Sequence, residues 1–382
     1  MPYNVAAVRA HFPALHEGAA HFDGPGGSQV PDVVADAVAN TLRSAVSNRG
    51  SVTTAEQRAE DIVVSARQAA ADLLGAQPNG IIFGRSMTQL TYDLSRTLAK
   101  NWRAGDEIIV TRLDHDANIR PWVQAAEARD VRVRWAEFDR STGELPVSAV
   151  TSLLNERTRV VAVTAASNLL GTRPSIARIA PRAHEAGALV YVDGVHLTPH
   201  ALVDVEALGA DFYACSPYKF LGPHLGMVAA RPALLESLRP DKLLPATNTV
   251  PERFEYGTLP YELLAGTTAA VDFLAGLVPG SGSRRSRLAQ SMQELAGHEQ
   301  AMLKNLEAGL SGIRLHGSPN RERTPTVLFS VNGVTPGEVH RKLAAQNVNA
   351  PGGTFYALEC ARWLGLGDGR ARRAGHAPNP HP

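Results

Sequence analysis

Cysteine is nearly absent: Cys215 and Cys360 are the only two in a chain of 382 residues. That count excludes a disulfide framework and any metal cage built from cysteines. Between Met1 and Phe12 there is no apolar run of signal-peptide length. No stretch approaches the ~18 consecutive apolar residues of a membrane span. An excess of one charge is missing too. The 38 lysines and arginines against 37 aspartates and glutamates leave a formal charge of +1, so nothing points to nucleic acid or an anionic membrane as a partner. Three nucleotide and hydrolase fingerprints are also lacking: a Gly-x-Gly-x-x-Gly after a strand, a Walker-type phosphate loop and a Gly-x-Ser-x-Gly elbow. His196 and His200 are four apart, but Pro199 disfavours the helix that would aim both at one metal. A cytoplasmic protein that handles small molecules is the expectation.

Hydrophobic residues make up 44% and charged residues 20%, ordinary globular usage, and the length allows a large core. Short apolar runs at Ile81–Phe83, Glu107–Thr111, Val131–Trp135, Arg159–Thr164, Ala188–Asp193, Asp211–Cys215 and Gly226–Ala230 read as strands. Between them Gln89–Leu98, Ile119–Ala128 and Ile176–Ala186 fit helices. This alternation predicts an α/β fold with a mixed, mostly parallel sheet covered on both faces. Pro279-Gly280-Ser281-Gly282-Ser283 then interrupts the pattern. Beyond it Leu288, Met292, Leu295, Met302, Leu306 and Leu310 form a helical stripe expected to pack against the larger unit. Thr326–Val331 reads as a strand, Thr335–Gln346 as a helix opened by Pro336, and Ala374–Pro382 as irregular. The expected division is a large domain over 16–278 and a smaller α+β domain from 1–15 and 279–382 that ends short.

Chemistry concentrates between Val160 and Gly226. One apolar strand ends in Asp193-Gly194, and the next ends in Ser216-Pro217-Tyr218-Lys219. In open α/β sheets, ligands sit beyond the carboxyl ends of strands, and Asn168 reaches the same edge. A lysine and an acid there suit pyridoxal phosphate. That cofactor needs a lysine for a Schiff base and a carboxylate to keep its ring nitrogen protonated. Ser86-Met87-Thr88 follows a strand and opens a helix, which offers a phosphate cradle.

The stretch Val190-Tyr191-Val192-Asp193-Gly194-Val195-His196, with Pro199-His200, Val203-Asp204-Val205 and Ser216-Pro217-Tyr218-Lys219, resembles the class V aminotransferase and cysteine desulfurase family. The resemblance runs from His21-Phe22-Asp23-Gly24-Pro25-Gly26-Gly27 through Asn48-Arg49-Gly50 to Phe254-Glu255-Tyr256-Gly257-Thr258. It implies fold type I, pyridoxal phosphate as cofactor, an amino acid as substrate and a homodimer with shared active sites. By the resemblance Lys219 is the Schiff-base lysine, Asp193 pairs with the ring nitrogen, and His196 and Asn168 lie near the ring hydroxyl. His115 matches the histidine that stacks on the ring, with capping of the following helix as its alternative. Met87, Thr88, Ser216 and Tyr218 would bind phosphate, and Thr258 would reach the partner subunit's phosphate. Arg373 would take the substrate carboxylate, with Arg370 and Arg372 as competitors. Arg49 either lines the substrate pocket or braces its loop.

Desulfurases of the family carry a cysteine in a mobile loop. The matching loop here, Asn349–Tyr356, has none. Cys360 reads as a small packing residue and Cys215 as buried and inert. Expected activities are therefore an aminotransferase or desulfurase-like lyase, with a C–S lyase lacking persulfide transfer or a non-catalytic cofactor-binding protein as alternatives.

Overall fold

The structure is a computed structural model and describes residues 3–317 and 322–367. Seven strands form its main sheet: β1 (Ile81–Gly84), β2 (Glu107–Thr111), β3 (Arg132–Ala136), β4 (Thr158–Thr164), β5 (Leu189–Asp193), β6 (Phe212–Cys215) and β7 (Gly226–Ala230). Their order is β1-β7-β6-β5-β4-β2-β3. Only β7 runs antiparallel to its neighbours; the other pairings are parallel. Six strands therefore point their carboxyl ends at one edge.

Alternation along each strand builds two cores. Phe83, Ile109, Val161, Val163, Val190, Val192, Tyr213 and Cys215 fall on one face. Ile82, Ile108, Val110, Val160, Ala162, Tyr191, Phe212 and Ala214 fall on the other. Such strands are buried on both faces, which is why they read as short apolar runs.

The helix Thr54–Leu74 covers the first face with Ala59, Val63, Ala66, Ala70, Leu73 and Leu74. A capping box of Thr53 and Glu56 starts it, and Gly75 in the left-handed region ends it. The helix Met87–Ala99 covers the second face through Leu90, Leu94 and Leu98.

Past 279 the helix Arg284–Gly309 buries Leu288, Met292 and Leu303. Met302, expected within the buried stripe, is instead about half exposed. Over so long a helix the 3.6-residue period carries the buried line from position 302 to 303. Arg314–His316 and Leu328–Ser330 pair as a short antiparallel ribbon. Ala20–His21 pairs with Val348–Asn349 in parallel, a contact too short to leave a periodic signal. Among the described residues no helix is long and apolar enough to cross a membrane.

Candidate active site

Lys219 ends a one-turn helix, Pro217–Lys219, directly after β6. Its Nζ donates to the carbonyl of Pro25 and lies 4.8 Å from the Tyr218 ring centre. Burial pushes the ammonium down to about 8, against the nearby charge of Asp193. Asp193 is the last residue of β5 and is buried. Its Oδ1 accepts from the Val195 amide at 3.0 Å. Burial lifts this carboxyl to about 6, a rise opposed by the Val195 bond and by Lys219. Gly194 is required behind it: a Cβ there would lie 1.9 Å from Cζ of Tyr213.

His115 follows β2. Its Nδ1 accepts from the Ala117 amide at 3.0 Å and so caps the short helix Asp116–Asn118. The capped turn is this one and not the helix after Asn118, whose N-cap is Ile119, and the ring also faces Tyr356 at 5.6 Å between centroids, tilted by 31°. Burial, then the Lys219 charge, pushes the imidazole down to about 4, so it is neutral at physiological pH. Immediately before it, Asp114 is fully buried and accepts from the Thr111 hydroxyl and, at 2.7 Å, from Asn118 Nδ2. Burial raises Asp114 to about 8.

Asn168 donates through Nδ2 to the carbonyl of Phe355 at 2.9 Å. Its Oδ1 is buried and has no partner. His196 is buried close by, but its Nε2 is 2.7 Å from Thr326 Oγ1 and its ring meets His200 edge-on. Its Nε2 thus has a partner in the C-terminal segment, while the Lys219 charge also acts on its ring. Burial holds it well below the usual histidine range.

The far end of the edge is a helix start. Gly226 lets β7 press against it, since a Cβ would lie 2.1 Å from the Ser86 carbonyl carbon. Gly226 stands one step past the Cys215–Met227 pair, which brings Ser216 toward Met87 and Thr88. Ser86 Oγ accepts from Gln89, and the amides of Met87 and Thr88 have no intrahelical acceptor, as at any helix start. Ser216 is buried and Thr88 exposed. The Tyr218 ring stacks on His224 at 4.9 Å, and burial keeps its phenol protonated.

Two residues sit apart from this cluster or outside it. Arg49 is clamped by Glu60 at 2.7 and 2.9 Å and by Glu252 at 3.1 Å, so its guanidinium braces the loop rather than standing open for a substrate. Thr258 is exposed beyond the one-turn helix Glu252–Phe254. Arg370, Arg372 and Arg373 lie outside the described residues. Sequence reading passed over Asp114, the Pro25 carbonyl and the Phe355–Tyr356 pair. Gly24-Pro25-Gly26-Gly27 was a usable turn signal; Asp114 and Phe355 carried none, because their contacts are made only by folding. Among the described residues no group of three histidine, cysteine, aspartate or glutamate side chains could hold a metal ion.

The family model for aminotransferase class-V matches residues 20–374. The chain belongs to that family. A cysteine desulfurase of Yersinia pestis is 31% identical over 78% of both chains. An aminotransferase-like protein of Gibberella zeae is 33% identical, covering 87% of this chain and 83% of that one. Among solved structures, an apo cysteine desulfurase from Thermococcus onnurineus superposes with a TM-score of 0.86 at 24% identity, over 94% of this chain and 90% of that one. An Escherichia coli cysteine desulfurase in its S-sulfonic acid form gives 0.81 at 26% identity, over 95% and 91%. The fold is that of fold type I enzymes, and the chain is a pyridoxal-phosphate-dependent enzyme of the class V aminotransferase and cysteine desulfurase-like group.

Proposed function

We propose that this enzyme seats pyridoxal phosphate along the carboxyl edge of β1, β2, β4, β5 and β6 and acts there on an amino acid without passing sulfur to one of its own thiols. The observation that carries the reading is the half-buried Lys219 and the buried Asp193, placed at the ends of the paired strands β6 and β5 with each charge acting on the other. When bound, the cofactor supplies an electron sink that weakens bonds at the substrate α-carbon.

The residues present fit that group. Asp193 is a buried carboxylate with one weak cationic neighbour, and a protonated ring nitrogen would hold it ionised. The orphan Oδ1 of Asn168 is an acceptor in want of a donor at the same edge. His115, kept neutral by burial, offers a flat uncharged face for stacking. The Met87 and Thr88 amides, with Ser216 and Tyr218, supply donors for a phosphate at a helix start. Lys219, lowered to about 8, keeps a neutral fraction at physiological pH that can attack a carbonyl carbon, and it can later carry a proton to or from the α-carbon. Arg373 remains the proposed carboxylate ligand, through a bidentate guanidinium pair.

The absence of a loop cysteine, with Cys215 and Cys360 both buried, supports lyase or aminotransferase chemistry over persulfide transfer. Leu42, Val52, Leu243, Leu244 and Tyr256 are large apolar side chains left exposed, which supports a homodimer. Two unpaired thiols accord with a cytoplasmic setting.

The test is reconstitution of the full chain with pyridoxal phosphate. A visible absorbance band should form, and Lys219→Ala should lose it and lower turnover by roughly 10³-fold or more. Products are then sought over a panel of amino acids as keto acid, alanine or sulfide. A wild type that stays colourless overturns the reading.

A further inference from the structure

A cleft of about 470 Å³ is lined by Tyr218, the residue before Lys219. Its floor includes Gly26 and Gly27, next to the Pro25 carbonyl that receives the lysine amine. Val30, Tyr218, Pro223, His224, Pro351 and Phe355 supply its rings and apolar walls. Of the residues assigned to the cofactor only Tyr218 lines it; Met87, Thr88, His115, Asn168 and Asp193 do not. The space therefore lies next to the edge assigned to the cofactor and is left for a substrate side chain. A cysteine side chain, one methylene and one sulfur, would leave most of it empty.

The wall nearest the reacting edge is held in place. Phe355 and Tyr356 are consecutive non-glycine residues in the left-handed region, at φ 47° and 61°. Such backbone is costly and persists only when the surroundings over-determine it. Here the Phe355 carbonyl is taken by Asn168 and the Tyr356 carbonyl by the Asp116 amide at 2.8 Å. Below them Glu359 binds Arg112 at 2.9 Å, and the Trp363 indole donates to the Phe138 carbonyl at 2.8 Å. The segment is pinned by the edge it borders, and the pinning fixes Phe355 in the lining of the cleft that the stacked Tyr218 and His224 also line.

We propose that Phe355 is a specificity-determining residue, and that the amino acid this enzyme accepts carries a bulky, apolar or aromatic side chain larger than that of cysteine. The proposal rests on the reading of Lys219 as the reacting centre.

The test is spectral titration of the reconstituted full chain with L-alanine, L-cysteine, L-phenylalanine and S-benzyl-L-cysteine, read as the concentration that half-shifts the cofactor band. One good ring contact is worth about tenfold in affinity. S-benzyl-L-cysteine and L-phenylalanine should half-shift the band at concentrations about tenfold or more below L-cysteine. In Phe355→Ala that ratio should shrink about tenfold, while Phe355→Leu keeps most of it. Should Phe355→Ala melt early, Phe355→Tyr, which retains the ring, must preserve the ratio and Phe355→Ser must lose it. Equal or tighter response to L-cysteine in the wild type, or an unchanged ratio in Phe355→Ala, overturns the proposal. A wild type that forms no cofactor band overturns the Lys219 reading beneath it, which is a separate and visible outcome.

Discussion

The carboxyl edge of the sheet and its flank at β1 bury charge in opposite ways. On the flank, Arg67 and Glu255 form a two-bond fork at 3.0 and 2.8 Å. Glu255 also accepts from the Phe83 amide at 2.8 Å, and Arg67 donates to the Ile81 carbonyl. Arg49 is saturated likewise by Glu60 and Glu252. At the carboxyl edge, Asp114 receives neutral donors and no cation, and Asn168 leaves an oxygen bare. One region spends its charges on the fold. The other holds polar groups whose needs the chain itself does not meet, which is how a site prepared for a ligand differs from a brace.

Breaking the saturated side should produce the largest effect. Arg67 and Glu255 side chains are only 7% and 4% exposed, so Glu255→Ala leaves a guanidinium buried without its fork. The expected loss is about 3 kcal/mol of unfolding free energy, seen as a lower urea midpoint, because Arg67 keeps only the Ile81 carbonyl and Glu252 at 3.5 Å, and breaking one side of a buried pair costs that order. A loss under about 1 kcal/mol would mean the pair is no more than a surface-type bridge, and the contrast between the regions would collapse.

Relieving the under-paired side should move stability the other way, and only with pH. Asp114, raised to about 8, keeps its proton in the folded chain where the unfolded chain has lost it. The folded state then binds more protons, so stability falls as pH rises through that window. His115, lowered to about 4, has the opposite sign and acts below about pH 6.5. Between about pH 6.5 and 8 the aspartate dominates, with a slope of up to about 1.4 kcal/mol per pH unit, or roughly 2 kcal/mol across the window. Asp114→Asn preserves the shape and flattens that slope, since its amide does not ionise and the Thr111 hydroxyl can turn to accept. Urea unfolding of the cofactor-free chain at three pH values checks it; an unchanged slope would put the titrating group elsewhere.

How far the sequence foretold each region follows from the range of its contacts. Buried strands announce themselves locally, and the expected runs Glu107–Thr111 and Gly226–Ala230 coincide with β2 and β7. The reversed direction of β7 left no trace, because alternation does not encode direction. Lys219, Asp193 and Asn168 were readable as candidates since topology delivers every carboxyl end of a parallel strand to one edge. Arg49 could not be decided: its two acids lie 11 and 203 residues away. Phe355 was invisible for the same reason, meeting Asn168 across 187 residues. Local pattern reveals elements; partners brought together from far along the chain reveal roles.

The smallest effect tests whether Cys360 belongs to the braced side or to the site. It is fully buried in the helix Leu358–Trp363, and burial pushes its thiol well above the usual range. Sulfur acceptance needs a thiolate that is reachable, and this group is neither ionised nor exposed. Cys360→Ala should therefore cost about 1 kcal/mol of stability and leave turnover within about twofold of wild type. Intact-mass measurement after incubation with L-cysteine should show no added sulfur on the wild-type chain. A persulfide adduct that disappears in Cys360→Ala, with the melt unchanged, would move this residue into the chemistry. It would also require the pinned segment from Phe355 to Trp363 to open during turnover, against every contact that holds it.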